Sequence, residues 1–333
     1  MANRPEESQL NKALLRSEEI ASLAGKDMAT RDAYGTALYN LGISNEKIVV
    51  LDADLSCSTK TIKFAKAFPE RFFNIGISEQ DMVCTAGGFA LSGLIPFAST
   101  FAVFETGRAW EQIRQTIAYP FLNVKLAATH SGITVGEDGA SHQANEDIAL
   151  MRVIPNMTII VPADGFETAQ FVNILAEYNG PAYMRLGRAK AKAVMPNDYK
   201  ASIGKAYKFH KGKDACIIAT GLMVNESLKA REILLQNSID CGVINVSTIK
   251  PLDGDTILEA VSGCKLVLTA EEHSIIGGLG GAVAEFLSEN YPVKIIRTGI
   301  RDTFGMSGSP TELMKIYRLT AEDIAEKIRN NLH

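Results

Sequence analysis

The chain has 333 residues, 46% hydrophobic and 22% charged, which is the composition of an ordinary globular protein with the length for two domains. A net charge of -4 without any Lys/Arg block argues against nucleic acid or a membrane surface as partner, and no apolar run approaches a membrane span or a signal core. Cys57, Cys84, Cys216, Cys241 and Cys264 are scattered singly, with no C-x-x-C pair and no metal-like spacing to the histidines, and so read as reduced thiols of a cytoplasmic protein.

Residues 1–27 are polar. Within them, residues 6–23 predict an amphipathic helix with Leu10, Leu14, Leu15, Ile20 and Leu23 on its apolar side, ended by Gly25 and docked on the body or on a partner. From Met28 strand and helix alternate. A helix is expected over residues 30–41, then a buried strand over 47–54 that ends in Asp52 and Asp54. Short strands follow at 71–75 and 94–97. Residues 101–119 have helical period up to Pro120, residues 124–129 form a strand that delivers His130 into a loop, and another strand at 158–161 stops at Pro162. Near-continuous apolar strands between helices imply a parallel sheet covered on both faces, with ligands at the carboxyl ends of its strands. Asp54, Glu79 and His130 all fall just after such ends.

The segment 79–91 is poor in bulk, with Ala86, Gly87, Gly88 and Ala90, so that another backbone or a flat ligand can come close. Taken alone, Glu79 at its start has a bland explanation, a favourable interaction with the helix dipole. Residues 189–213 read as an interdomain linker plus an edge strand. A second alternation follows, with strands at 216–220, 242–246, 266–269 and 293–296 and helices near 224–236 and 280–289, a smaller three-layer α/β domain. The expected division is an extension 1–27, a first domain 28–190, a linker 191–212 and a second domain 213–333.

Gly76-Ile77-Ser78-Glu79-Gln80 resembles the catalytic glutamate motif of the thiamine-diphosphate enzymes of the transketolase superfamily. The likeness continues through Ser99-Thr100-Phe101-Ala102-Val103-Phe104. It is strongest from Thr129-His130-Ser131-Gly132 to Gly136-Glu137-Asp138-Gly139-Ala140-Ser141-His142-Gln143, and goes on through Ile154-Pro155-Asn156-Met157 and Val161-Pro162-Ala163-Asp164. It covers residue 28 to the C-terminus, the second and third domains of a transketolase. It implies two three-layer α/β/α domains with mostly parallel sheets, a pyrimidine-binding domain followed by a transketolase C-terminal domain.

The resemblance assigns roles residue by residue. Thiamine diphosphate reacts through a carbanion at its thiazolium C2, and the protein supplies positioning and electrostatics. Glu79 matches the glutamate that bonds the aminopyrimidine, which calls for a partly desolvated site where a proton can be shared with the ring. Phe101 and Phe104 match the aromatic lining of that pocket, and Asp54 joins the cofactor-binding set. A third aromatic of the family falls on Gly107, with Arg108-Ala109-Trp110 following, so the ring pocket departs in detail. His130, Asp138 and His142 match contacts to sugar hydroxyls, the two histidines also assisting proton transfer. Arg31, Ser58 and Arg188 match phosphate-binding positions, with Arg185, three residues earlier, as an alternative to Arg188. Glu271-Glu272-His273 and Gly277-Gly278-Leu279-Gly280 are also family-like. The glycines read as a turn with close packing, and His273 as structural or near a subunit interface.

The Gly-Asp-Gly motif with which transketolases hold the metal is missing, so no metal ligands are assigned to this chain. Mg²⁺ (or Ca²⁺) and the diphosphate would be bound by a separate N-terminal transketolase subunit, in an α2β2 heterotetramer. The expected reaction is transfer of a two-carbon ketol unit from a ketose phosphate such as xylulose 5-phosphate to ribose 5-phosphate or erythrose 4-phosphate, steps of the pentose phosphate pathway. Three alternatives remain: the β subunit of a 2-oxo acid dehydrogenase E1 component, which lacks the paired-histidine loop; a deoxyxylulose-phosphate-synthase-like protein; and a non-catalytic paralogue, which the joint presence of Glu79, Phe101, His130 and His142 disfavours.

Overall fold

The strand Ile48–Asp52 is apolar at four successive positions and buried at all five, as a strand covered on both faces must be. The computed structural model describes residue 18 and residues 20–332. It places this strand in a seven-stranded sheet. The strands run in the spatial order Thr248–Lys250, Thr158–Ile160, Ala182–Arg185, Lys125–Ala128, Ile95–Ser99, Ile48–Asp52 and Phe72–Asn74. All neighbours pair in parallel except Thr248–Lys250, which is antiparallel to Thr158–Ile160. The helices Thr30–Ser44 and Gly165–Glu177 pack against each other over one face, with Tyr34, Leu38, Leu41, Phe171 and Leu175 buried.

A second, five-stranded sheet has the order Lys294–Ile300, Leu266–Ser274, Ala215–Ala219, Cys241–Asn245 and Tyr207–His210, parallel but for the last. The chain is therefore an α/β protein of two mostly parallel sheets with helices. The two are joined by more than the linker. Thr248–Lys250 follows a strand of the second sheet but completes the first, and Asn245 Nδ2 donates to the buried Glu167 carboxylate across the seam. Burial pushes Glu167 up to about 7.

Two expectations change in detail. The stretch read as one helix over 101–119 is the helix Ala102–Arg108, a break at Ala109, the turn Trp110–Gln112 and a π-helical turn Ile113–Ala118. The strand expected over 266–269 extends to Leu266–Ser274, so Glu271, Glu272 and His273 are strand residues, all buried. Of the helix expected over 6–23, all but residue 18 and residues 20–23 lies outside the described residues. Ile20 and Leu23 pack on the cores, and Gly25 has φ +71°. Among the described residues no helix is long and apolar enough to cross a membrane.

Candidate active site

The carboxyl ends of the first sheet bring the predicted residues to one edge. Phe72–Asn74 runs into Gly76, whose φ of +75° turns the chain, and Glu79 opens the helix Glu79–Leu91. Asn74 ties this turn down, donating to Asp54 Oδ1 at 2.9 Å while its own Oδ1 accepts from Gly76 N at 3.0 Å. Glu79 is only 4% exposed, and its Oε1 accepts from Arg108 Nη1 at 2.8 Å. The same guanidinium lies 4.2 Å from the centroid of Phe104. Gln80 Nε2 donates to the carbonyl of Arg108, which ties down the end of the helix Ala102–Arg108.

Phe101 and Phe104 stack 5.7 Å apart at 17°. His130 continues the stack, 3.7 Å from Phe101, and His142 meets both phenylalanines edge-on. The four rings make one apolar wall with two nitrogen-bearing members. His130 has φ +57°, a backbone conformation rare for a side chain of this size and frequent at functional positions. Its Nε2 accepts from Arg31 Nη1 at 2.9 Å, and its Nδ1 lies 2.9 Å from Thr129 Oγ1. Burial, then the Arg31 and Arg188 charges, hold this imidazole down to about 3. It is thus neutral, with the Nδ1 proton directed at Thr129 and the Nε2 lone pair taken by Arg31.

Cations line the neighbouring rim. Arg31 also donates to the carbonyl of Ser58 at 3.2 Å; burial lowers its pKa, opposed by Asp32, with Arg188 lowering it further and Asp138 raising it. Arg188 donates to the carbonyl of Val135 and to Glu137 Oε2. Asp138 and Glu137 are exposed on the turn Ile133–Asp138. Arg185, the alternative phosphate ligand, is held elsewhere. It is 5% exposed, pairs with Asp147 at 2.7 Å and donates to the carbonyls of Ala144 and Glu272.

The second domain shapes the histidine loop. Glu272 Oε1 accepts from Thr134 N at 2.6 Å, and Gln143 Nε2 donates to the Met306 carbonyl at 2.9 Å. Gly132 has φ +73°, and a Cβ there would stand 2.4 Å from the Glu272 carboxyl group, so no other residue fits. His273 is fully buried between Asp147 and Glu271, and burial holds it down to about 4. Glu271 accepts from Leu279 N and Gly280 N, capping the helix Leu279–Asn290, and a Cβ on Gly278 would collide with the same carboxylate.

Three residues of the site were not found from the sequence. Arg108 stood there only as a departure; its spacing of four from Phe104 on one helix was the available signal. Asp52 shapes the loop that carries Ser58, accepting from Leu55 N, Thr59 Oγ1 and Thr61 Oγ1, and burial pushes it up to about 6. Glu105 is fully buried, with no partner for either carboxyl oxygen among the described residues. Burial, then Asp52 and Glu79, push it well above the usual carboxylate range. Nothing in the sequence marked it.

The arrangement suits a flat heteroaromatic ring, with an aromatic wall beside a desolvated carboxylate. It also suits a polyol with an anionic group, for which there are two histidines, an acidic turn and two arginines. Comparison with known proteins identifies the family. Residues 26–193 match the family model "Transketolase, pyrimidine binding domain", and residues 204–324 match "Transketolase, C-terminal domain". A Methanocaldococcus jannaschii chain provisionally named a transketolase C-terminal section is 50% identical over 94% of this chain and 99% of its own length. The 6-deoxy-6-sulfo-D-fructose transketolase subunit of Clostridium sp. strain MSTE9 is 39% identical over 88% of this chain and 91% of its own. A solved structure described as a split-gene transketolase, an inactive β4 tetramer, superposes with a TM-score of 0.84 at 49% identity, covering 92% of this chain and 99% of that one. This chain belongs to the transketolase family, whose enzymes depend on thiamine diphosphate.

Proposed function

We propose that this chain is one subunit of a two-chain transketolase. It would transfer a two-carbon ketol unit from xylulose 5-phosphate to ribose 5-phosphate or erythrose 4-phosphate. The observation that carries this reading is Glu79, buried at a helix start beside the wall of Phe101, Phe104, His130 and His142. Residues 28–190 form the pyrimidine-binding domain and 213–333 the C-terminal domain, joined by 191–212 and preceded by the extension 1–27. The partner chain holds the diphosphate through Mg²⁺ (or Ca²⁺), in an α2β2 assembly. Three relatives support the partner: one named as a C-terminal section, one as a subunit, and one as a split-gene chain whose own tetramer is inactive. The five cysteines are all free thiols, in keeping with a reducing cytoplasm.

Bound thiamine diphosphate supplies a nucleophilic carbon that can take up and release the ketol unit. The chain's own residues do the rest. Glu79, withdrawn from water, exchanges a proton with the aminopyrimidine, and Arg108 pairs with its carboxylate. Phe101 and Phe104 present a flat apolar face to that ring. His130, once the sugar displaces Arg31 from its Nε2, accepts a hydroxyl proton of the sugar as its C–C bond breaks and returns it when the new bond forms. His142 and Asp138 orient the remaining hydroxyls, and Arg31 and Arg188, beside Ser58, hold the phosphate.

The test is expression of the chain alone and with its partner candidate, the neighbouring open reading frame. Cofactor binding and ketol transfer from xylulose 5-phosphate to ribose 5-phosphate are then measured. Activity only in the pair is expected. Full turnover by the chain alone would refute the two-subunit reading, and turnover of pyruvate in place of the sugar would move the assignment to a 2-oxo acid dehydrogenase. A second donor belongs in the same assay. The two rim arginines would take a sulfonate as readily as a phosphate, and one relative is named for 6-deoxy-6-sulfo-D-fructose.

A further inference from the structure

Far from the histidine loop in sequence, the end of the second domain carries an open pocket of about 520 Å³ lined by Arg301, Thr303, Ile316, Tyr317, Arg318 and Lys327. The volume falls in the range of small-metabolite pockets. Three of the six lining residues are cations and none is an acid. The carboxylates nearest to them, Asp323 and Glu326, are both already engaged by Arg318. Asp302 follows Arg301 in the chain but does not line the pocket. Arg301 itself is exposed and makes only a 3.4 Å bond to the carbonyl of Arg297, with no ion pair among the described residues. Lys327 donates to Thr298 Oγ1 and the Arg318 carbonyl, which aims its ammonium group rather than neutralising it.

We propose that this pocket is a binding site for a small, multiply charged anion of the phosphate class. Asp323 and Glu326 offset Arg318, which leaves Arg301 and Lys327 facing one concavity without an ion pair of their own among the described residues, and an anion between them removes their repulsion. Arg301 offers a forked donor that fits tetrahedral oxygens in pairs, Lys327 adds a point charge, and Arg318, whose Nε and Nη2 are held by Asp323 and Glu326, contributes Nη1. Thr303 Oγ1 bonds only weakly, to the Phe304 carbonyl at 3.4 Å, and can turn to a ligand. The electrostatics agree. Burial, then Arg301 against the pull of Asp323, then Arg318, hold the Lys327 ammonium down to about 8.

None of these residues belongs to the histidine site, so a phosphate bound here is distinct from that of the sugar substrate. The test is calorimetric titration of the full chain with inorganic pyrophosphate at fixed ionic strength, comparing wild type with Arg301→Gln, Arg301→Lys and Arg188→Gln. The expected result is one saturable component that weakens about tenfold or more in Arg301→Gln, as loss of a charge-assisted contact should give. That component is largely kept in Arg301→Lys and unaffected by Arg188→Gln. Equal affinity in all four proteins, loss of all binding in Arg188→Gln alone, or no saturable binding to wild type would each overturn the proposal. Failure of ketol transfer would leave it standing.

Discussion

Two groups of the same residue types lie within this molecule and behave in opposite ways. One is the histidine site, with His130, Arg31 and Glu79; the other is the buried seam, with His273, Arg185, Glu271, Glu272 and Asp147. In the seam Arg185 donates three bonds, Glu271 caps a helix and His273 is fully enclosed. In the site His130 sits in a left-handed backbone, Arg31 Nε has no partner among the described residues, and Glu79 is bound by a half-exposed arginine that a ligand can displace. Residue type does not separate structure from chemistry here. What separates them is whether the protein itself has used up the bonding capacity of each group.

The largest expected effect probes the open group. Glu79→Gln in the reconstituted complex should lower ketol transfer by about 10²–10⁴-fold, the usual contribution of a placed acid–base group, with the circular-dichroism spectrum unchanged. Unchanged turnover would move Glu79 into the company of Glu271. The matching experiment on the closed group is Asp147→Ala. It leaves the Arg185 charge buried and unpaired, and should lower unfolding stability by about 3–5 kcal/mol in urea titration. Arg188→Gln, three residues along, should change stability by less than about 0.5 kcal/mol and act on the KM for the phosphate-bearing sugar instead. If the two variants exchanged phenotypes, Arg185 would be the phosphate ligand after all.

A smaller effect comes from pH. His130 and His273 are held to about 3 and about 4, below the unfolded value of about 6.5. Between pH 6.5 and those values the unfolded chain binds more protons, so this part of the stability is full above pH 6.5 and is lost as pH falls. The loss is up to about 1.4 kcal/mol per pH unit for each imidazole. Glu271 and Glu272, raised to about 7 by burial, act in the opposite sense. The decisive measurement is therefore nuclear magnetic resonance of the ring nitrogens: both imidazoles should stay neutral at pH 5. A His130 ring already charged at pH 5 would show that burial and the Arg31 and Arg188 charges do not hold it neutral.

The smallest effects are at glycines. Gly132→Ala forces a methyl group onto Glu272 at φ +73° and should cost about 1–3 kcal/mol, read from the thermal midpoint. Gly88→Ala meets nothing within 4 Å and should stabilise the isolated chain by up to about 1 kcal/mol. If that variant also weakens assembly, the small-residue helix lies against the partner.

Much of this was legible in the sequence, for physical reasons. Strands buried on both faces leave unbroken apolar runs, so Ile48–Asp52 and Ala215–Ala219 were visible, and residues that follow such runs fall at the ligand-binding edge. That placed Glu79 and His130 without any contact being known. What stayed hidden depends on partners distant in the chain. Arg185 and Arg188 look alike until Asp147 is brought to one of them. The strand Thr248–Lys250 is too short to show a period, and Glu105 is an ordinary helix residue until its burial is known. The break at Ala109 was missed because the apolar period runs through it.

The strand Thr248–Lys250 has a consequence for how the chain comes apart. It forms the outer edge of the first sheet with residues supplied by the second domain, so neither sheet can open alone without breaking that ladder. The two domains should therefore melt as one cooperative unit. Amides of Thr158–Ile160 and Thr248–Lys250 should exchange with solvent at a common rate, set by global rather than local opening.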